Sequence, residues 1–208
     1  MFGGDGDDHP YGGGDSNGLY GDEGDDHICG GPGFDALWGR GGDWLDGESG
    51  AASVHGGSGD DHIQTGDGHA TIYGGAGNDF IRVGWGGAYA SGGAGNDEIY
   101  GYDGMGHGGV RGNGGPAIFD GGSGDDMIAT DQQPGSSSAL GGAGDDELFG
   151  SDRPEGLFGG EGNDLIIGWG GGLDGGAGVD KLSGDSGEDS CTTPVEQGDQ
   201  SSGCEFWV

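Results

Sequence analysis

The chain has 208 residues, 62 of them glycine, and 38 acidic side chains against five basic ones give a formal net charge of −33. Only 29% of residues are hydrophobic, a composition too poor in apolar surface and too self-repelling to offset its ordering entropy unaided. Such a charge disfavours nucleic acid and anionic membranes and favours cations as partners. No stretch approaches the roughly 20 apolar residues of a membrane span, and six prolines exclude a collagen helix.

A strict internal repeat opposes the disordered reading. Written GGxGxDxUx, with U a large apolar residue, it begins imperfectly as GGDGDDHPY from Gly3, with Pro10 at the apolar place. GDEGDDHIC from Gly21 lacks one glycine, and GGPGFDALW follows from Gly30. The turn GRGGDWLD at 39–46 departs from the pattern, which sets it apart from its neighbours. Good copies then start at Gly56, Gly74, Gly92, Gly121, Gly141, Gly159 and Gly175. Most are about eighteen residues apart, with degraded units such as TGDGHATIY (65–73) and VGWGGAYAS (83–91) between them. The spacing predicts a two-sided object, one side carrying the full motif and the other tolerating drift and insertion. The stretches 101–120 and 130–140 are expected as loops on the tolerant side.

Within one unit, GGxGxD is expected to turn and xUx to form a minimal strand whose central side chain points inward. Two units make a coil, and stacked coils pair their strands in parallel. Ile28, Leu45, Ile63, Ile81, Ile99, Ile128, Leu148, Ile166 and Leu182 should line one sheet. Leu19, Leu37, Val54, Ile72 and Leu157 should line the other. The fold class expected is all-β, a parallel β-roll of about ten coils over residues 1–190, with 191–208 as a C-terminal cap or tail. Two large apolar residues per coil make a thin core, marginal without further support.

That support is expected from the sixth motif residue: Asp26, Asp61, Asp79, Asp97, Asp126, Asp146, Asp164 and Asp180. Stacking sets these carboxylates about 5 Å apart, where like charges repel unless neutralised. Carboxylates with backbone carbonyls from the glycine turns, and no required His or Cys, suit a hard cation. Flexible geometry and about 6–8 oxygens favour Ca²⁺ over Mg²⁺.

The nonapeptide resembles that of the repeats-in-toxin (RTX) family, the haemolysin-type calcium-binding repeats, and the resemblance covers roughly residues 3–190. It implies a right-handed parallel β-roll with several Ca²⁺ ions held between successive turns. It further implies a secreted bacterial chain that folds on meeting calcium outside the cell. Sites are expected between turns in 56–97 and in 121–180, drawing on Gly56, Gly74, Gly92, Gly121, Gly141, Gly159 and Gly175 as well as the aspartates.

Other constellations carry less. His9, His27 and His62 each follow Asp-Asp and are expected as solvated outward residues rather than Zn²⁺ or Cu²⁺ ligands. The aromatic residues of the two GWGG strings, with Trp38 and Trp44, are expected to pack along coil edges rather than to bind glycans. Cys191 and Cys204 are spaced for a terminal disulfide, leaving Cys29 over. No metalloprotease helix, nucleophile elbow or phosphate loop occurs, so no enzyme is expected. Phe80, Tyr100, Met127, Phe149, Leu165 and Ile167 flank inward positions and would form an outward apolar face. That face and the open roll ends suit end-to-end self-association into a fibre or matrix. The rival is a calcium-folding secretion or binding module of a larger toxin or hydrolase, consistent with the acidic-apolar ending EFWV.

Overall fold

The computed structural model describes residues 1–66, 68–84, 86–101, 117–130, 137–150, 155–168, 171–177, 181–184, 189–192, 200–202 and 206–207. Regular structure among these is strand alone, arranged in a twelve-stranded and a ten-stranded parallel sheet. The chain alternates between the two sheets, so each strand pairs with the one that precedes it by a full coil. This is the β-solenoid that the repeat predicts, consistent with a β-roll.

The sheets differ in strand length. In the shorter sheet most strands have three residues, as in His62–Gln64, Phe80–Arg82 and Glu98–Tyr100. In the longer sheet they reach eight in Ala51–Ser58 and seven in Ala70–Ala76 and Ala88–Ala94. There the first three motif residues stay in the strand, with Gly75 paired to Gly57 and Gly93 in register. The expected six-residue turn is therefore shorter in space than in sequence on that side.

The core is two facing columns. Ile28, Leu45, Ile63, Ile81, Ile99, Ile128, Leu148, Ile166 and Leu182 are all buried on the shorter sheet, as their period requires. Leu19, Leu37, Val54, Ile72 and Leu157 are buried on the longer one. That column also takes Ala90, Phe119, Ala139 and Leu173, which the pattern did not single out. In register it runs Ile72, Ala90, Phe119, Ala139, Leu157. Phe119 thus fills the space that two flanking alanines leave, holding the volume nearly constant along the axis. Each buried Ile or Leu contributes about 1.5–3 kcal/mol.

Outside the core, rings stack along the axis. On the longer sheet the run is Phe2, Tyr20, Trp38, His55, Tyr73, Tyr89, with centroids 4.7, 4.5, 6.0, 5.0 and 5.7 Å apart. On the shorter sheet it is His9, His27, Trp44, His62, Phe80, Tyr100. Trp38 stacks between Tyr20 and His55 and Trp44 stacks on His62, so both pack rather than offer an open face to a sugar. The other two expected GWGG tryptophans lie outside the described residues.

Two expectations need correction. The stretches 101–120 and 130–140 are not loops throughout, because Ile118–Ser123 and Ser138–Ala143 are strands of the longer sheet. Their inward alternation, with Phe119 and Ala139 buried, recruits them to the core. The outward apolar set is half-buried throughout. The more exposed apolar residues of these coils are Ile118, Leu140 and Phe158, on the other sheet. Beyond residue 190, Gln200–Ser202 joins the shorter sheet and Phe206–Trp207 the longer one.

Candidate metal-binding edge

Turns from the longer to the shorter sheet form one edge of the roll, and each ends in a buried aspartate. Asp26, Asp43, Asp61, Asp79, Asp97, Asp126, Asp146 and Asp164 are all at most 3% exposed. A single hydrogen-bond rule orders them: Oδ1 of each accepts the backbone N–H of its counterpart one coil earlier. Asp61 N–H donates to Asp79 at 2.9 Å, Asp79 to Asp97 at 2.8 Å, and Asp146 to Asp164 at 2.9 Å. The column crosses the long insertion unbroken, with Asp97 N–H donating to Asp126, 29 residues on, at 2.7 Å.

The second oxygen is different. Oδ2 of Asp26, Asp61, Asp79, Asp97, Asp126, Asp146 and Asp164 is buried with no hydrogen-bond partner. An orphaned carboxylate oxygen is costly, and a column of them is more so. Burial is the main reason Asp26, Asp61, Asp79, Asp97, Asp126 and Asp146 resist ionisation, with the N–H bond opposing it and, at all but Asp97, neighbouring carboxylates adding to it. Asp61 is pushed up to about 8, Asp79, Asp126 and Asp146 to about 7, and Asp97 to about 6. Without a counter-charge the column is protonated or unstable.

Glycine makes the arrangement possible. Each aspartate folds back over the first glycine of its own motif, and a Cβ on Gly74 would overlap Asp79 Oδ2. On Gly56 a Cβ would overlap Asp61 Oδ2 and lie 2.6 Å from the Gly74 carbonyl oxygen. A carboxylate oxygen and the next coil's carbonyl therefore border one small space, and the same holds at Gly74, Gly121, Gly141 and Gly159. The glycines at the second and fourth motif positions hold left-handed φ, +128° at Gly75 and +134° at Gly77.

Of the residues expected at the site, the seven described aspartates form this column, and Gly56, Gly74, Gly92, Gly121, Gly141 and Gly159 are its first glycines. Gly175 is buried beside Gly159, while Asp180 lies outside the described residues. His27 and His62 belong to the ring stack, and burial lowers the His62 pKa first, with Arg82 adding. Cys29 is free, and burial, then Asp46 and Glu48, pushes its thiol up. The expected Cys191–Cys204 bridge falls outside the described side chains.

Three features escaped the sequence reading. Asp43, in the turn set aside as irregular, is a full member of the column. Its Oδ1 accepts Asp26 N–H at 2.8 Å, and its own N–H donates to Asp61 at 2.7 Å. Asp35, from the Gly30 copy, lies on the opposite edge: it accepts Asn17 N–H at 2.9 Å and keeps an orphaned Oδ2. The fifth motif residue, treated as variable, forms an outer exposed column of opposite polarity. Its side-chain oxygen accepts the N–H one coil later, as Asp60 does from Asn78 at 2.7 Å and Asn78 from Asn96 at 2.8 Å. The signal was present, because a short Asx side chain suits this bond and the good described copies from Gly56 onward hold Asp or Asn there.

Among the described residues no three His, Cys, Asp or Glu side chains gather as a side-chain metal cluster. A cation would instead take one carboxylate oxygen per rung and complete its shell with turn carbonyls. Such an all-oxygen set suits a hard, geometrically tolerant ion, so the residues present fit calcium.

Fold and edge together define a calcium-binding β-roll. A family model described as the RTX calcium-binding nonapeptide repeat matches residues 2–37, 39–61, 55–90, 84–104, 134–152, 157–172 and 173–191. The chain belongs to that family. The matches skip 105–133, yet Asp126 and its turn occupy their rung there. No curated protein matches the chain. Among the described residues no helix is long and apolar enough to cross a membrane.

Proposed function

We propose that this chain is a secreted bacterial β-roll that folds on calcium and serves as a non-enzymatic structural unit, associating with its own copies into a fibre or matrix. The observation that carries it is the column of buried carboxylate oxygens without partners along one edge. Divalent ions in the gaps lined by orphaned oxygens would neutralise the column and bind successive coils together, so folding and metal uptake become one event. Asp26, Asp61, Asp79, Asp97, Asp126, Asp146 and Asp164, with Asp180 by its place in the repeat, would supply the carboxylates. The first glycines, from Gly56 through Gly175, would supply room and carbonyl oxygens. Low calcium inside a cell and millimolar calcium outside would keep the chain extended until export.

Self-association is favoured by Ile118, Leu140 and Phe158, exposed on the longer sheet at 47%, 40% and 44%, since apolar surface on a soluble roll gains from being covered. Residues 191–208 would act as a cap or tail of the roll. Sedimentation velocity in chelator and then in millimolar Ca²⁺ tests the reading. An expanded monomer becoming large, chelator-reversible polymers supports it. A compact calcium-bound monomer would favour a folding module of a larger secreted protein instead, and no change would remove calcium from the account.

A further inference from the structure

The Asp43 rung departs from its neighbours in one atom. Its Oδ2 accepts the backbone N–H of Arg40 at 2.7 Å and of Gly41 at 3.1 Å. It is the one buried aspartate of the described column whose Oδ2 is not orphaned. The cause is a turn one residue short: Asp26 to Asp43 spans 17 residues, where Asp43 to Asp61 and Asp61 to Asp79 span 18. In the full motif the glycines at the second and fourth positions hold positive φ, +121° at Gly57 and +113° at Gly59. No residue of 39–43 does. The shortened backbone instead directs two N–H groups at the carboxylate, the opposite of what a cation needs.

We propose that Asp43 is a cation-free rung, in which backbone hydrogen bonds replace the metal and divide calcium loading into two separate arrays. The oxygen that would face the Asp43–Asp61 gap is already committed, and two amide hydrogens there repel a positive ion. The short array ends at Asp26 and the long one runs from Asp61 to Asp164. Oδ1 still accepts Asp26 N–H and the Asp43 backbone N–H still donates to Asp61 Oδ1, so coil stacking continues across a gap that holds no ion. One of only five basic residues, Arg40, is exposed in this same turn. It adds a fixed positive charge where the acidic edge lacks a mobile one. The inference rests on the calcium reading above, but concerns where ions do not go.

The test counts ions bound per chain by equilibrium dialysis with ⁴⁵Ca²⁺ on the full chain, beside melting temperatures in calcium. Asp43→Asn should lower the melting temperature and leave the count unchanged, because it faces an amide donor with N–H groups but removes no ligand. Asp79→Asn should lower the count by at least one. Replacing residues 39–43 with the six-residue turn GGAGND of positions 92–97 should raise the count by at least one, and this variant decides the matter if Asp43→Asn does not fold. An equal loss of ions in Asp43→Asn and Asp79→Asn, or no gain in the graft, overturns the proposal. A parent chain that binds no calcium overturns the calcium reading itself, a result separable from either.

Discussion

The two edges of the roll solve the same geometric problem with different materials. On one, turns of nearly constant length set a buried aspartate over the next, and each rung is tied to its neighbours by a backbone bond. On the other, turn sequences as different as TGDGHA and VGWGGA connect the sheets, and a long insertion separates Tyr100 from Ile118. Asp35 is the one buried aspartate of that edge among the described residues. The lesson is that coil stacking by itself asks little of a turn, since the core columns and parallel ladders continue past any loop. What demands six defined residues is housing a carboxylate with a vacant oxygen.

The strongest way to break this comparison is to remove carboxylates from the first edge. Asp79→Ala with Asp97→Ala should raise the calcium midpoint for folding by at least tenfold in a circular dichroism titration, while His62→Ala shifts it little. Equal midpoints for the double variant and the parent would refute the assignment of the edge.

Next in size is the core, which both edges share. Phe119→Ala would leave three alanines in a row on the longer sheet, with a cavity costing about 3–5 kcal/mol. Chemical denaturation of the calcium-loaded protein should read that loss. A change below 1 kcal/mol would mean that the coils collapse around the gap.

Acidity separates the edges again. In chelator, the folded column holds its protons up to about pH 6 at Asp97, 7 at Asp79, Asp126 and Asp146, and 8 at Asp61. Unfolded aspartates release theirs near pH 4. The folded state therefore binds more protons, so the metal-free roll has this stability in full below about pH 4 and loses it as pH rises through 6 to 8. Calcium competes with the same protons, so its affinity should rise across that interval. Circular dichroism at pH 4 and pH 8, each with chelator, should show more strand at the lower pH.

The smallest effects concern single turns. Asp22 stands where the motif has its second glycine and holds φ at +75°. Asp22→Gly should stabilise the calcium-loaded roll by about 0.5–1 kcal/mol, relief of left-handed strain outweighing the added chain entropy, as thermal melting would show. On the other edge, deleting two residues within 131–136 should change stability by about 0.5 kcal/mol or less, because loop closure depends weakly on length.

Much of this was legible in the chain itself. The nonapeptide period set the inward column of the shorter sheet residue by residue, because a three-residue strand has one inward place and the repeat marks it with Ile or Leu. It also placed seven of the carboxylates and located the insertions on one edge. Less was legible on the longer sheet, where inward places hold alanine, phenylalanine or leucine and no fixed symbol announces them. Phe119 reads as part of a loop until its pairing with Ala90 and Ala139 shows that three unlike residues share one volume. The outer Asx column was hidden for a similar reason, since its role is fixed by a backbone N–H a full coil away.

The aspartate at position 43 marks the boundary most sharply. By itself the sequence determined that the chain stacks coils and gathers acids on one edge, because periodicity and charge are properties of the string. Only the tertiary structure decided which of those acids have a free oxygen. One missing residue in a turn redirects two N–H groups, and a hydrogen bond takes the place that a cation would hold on every neighbouring rung.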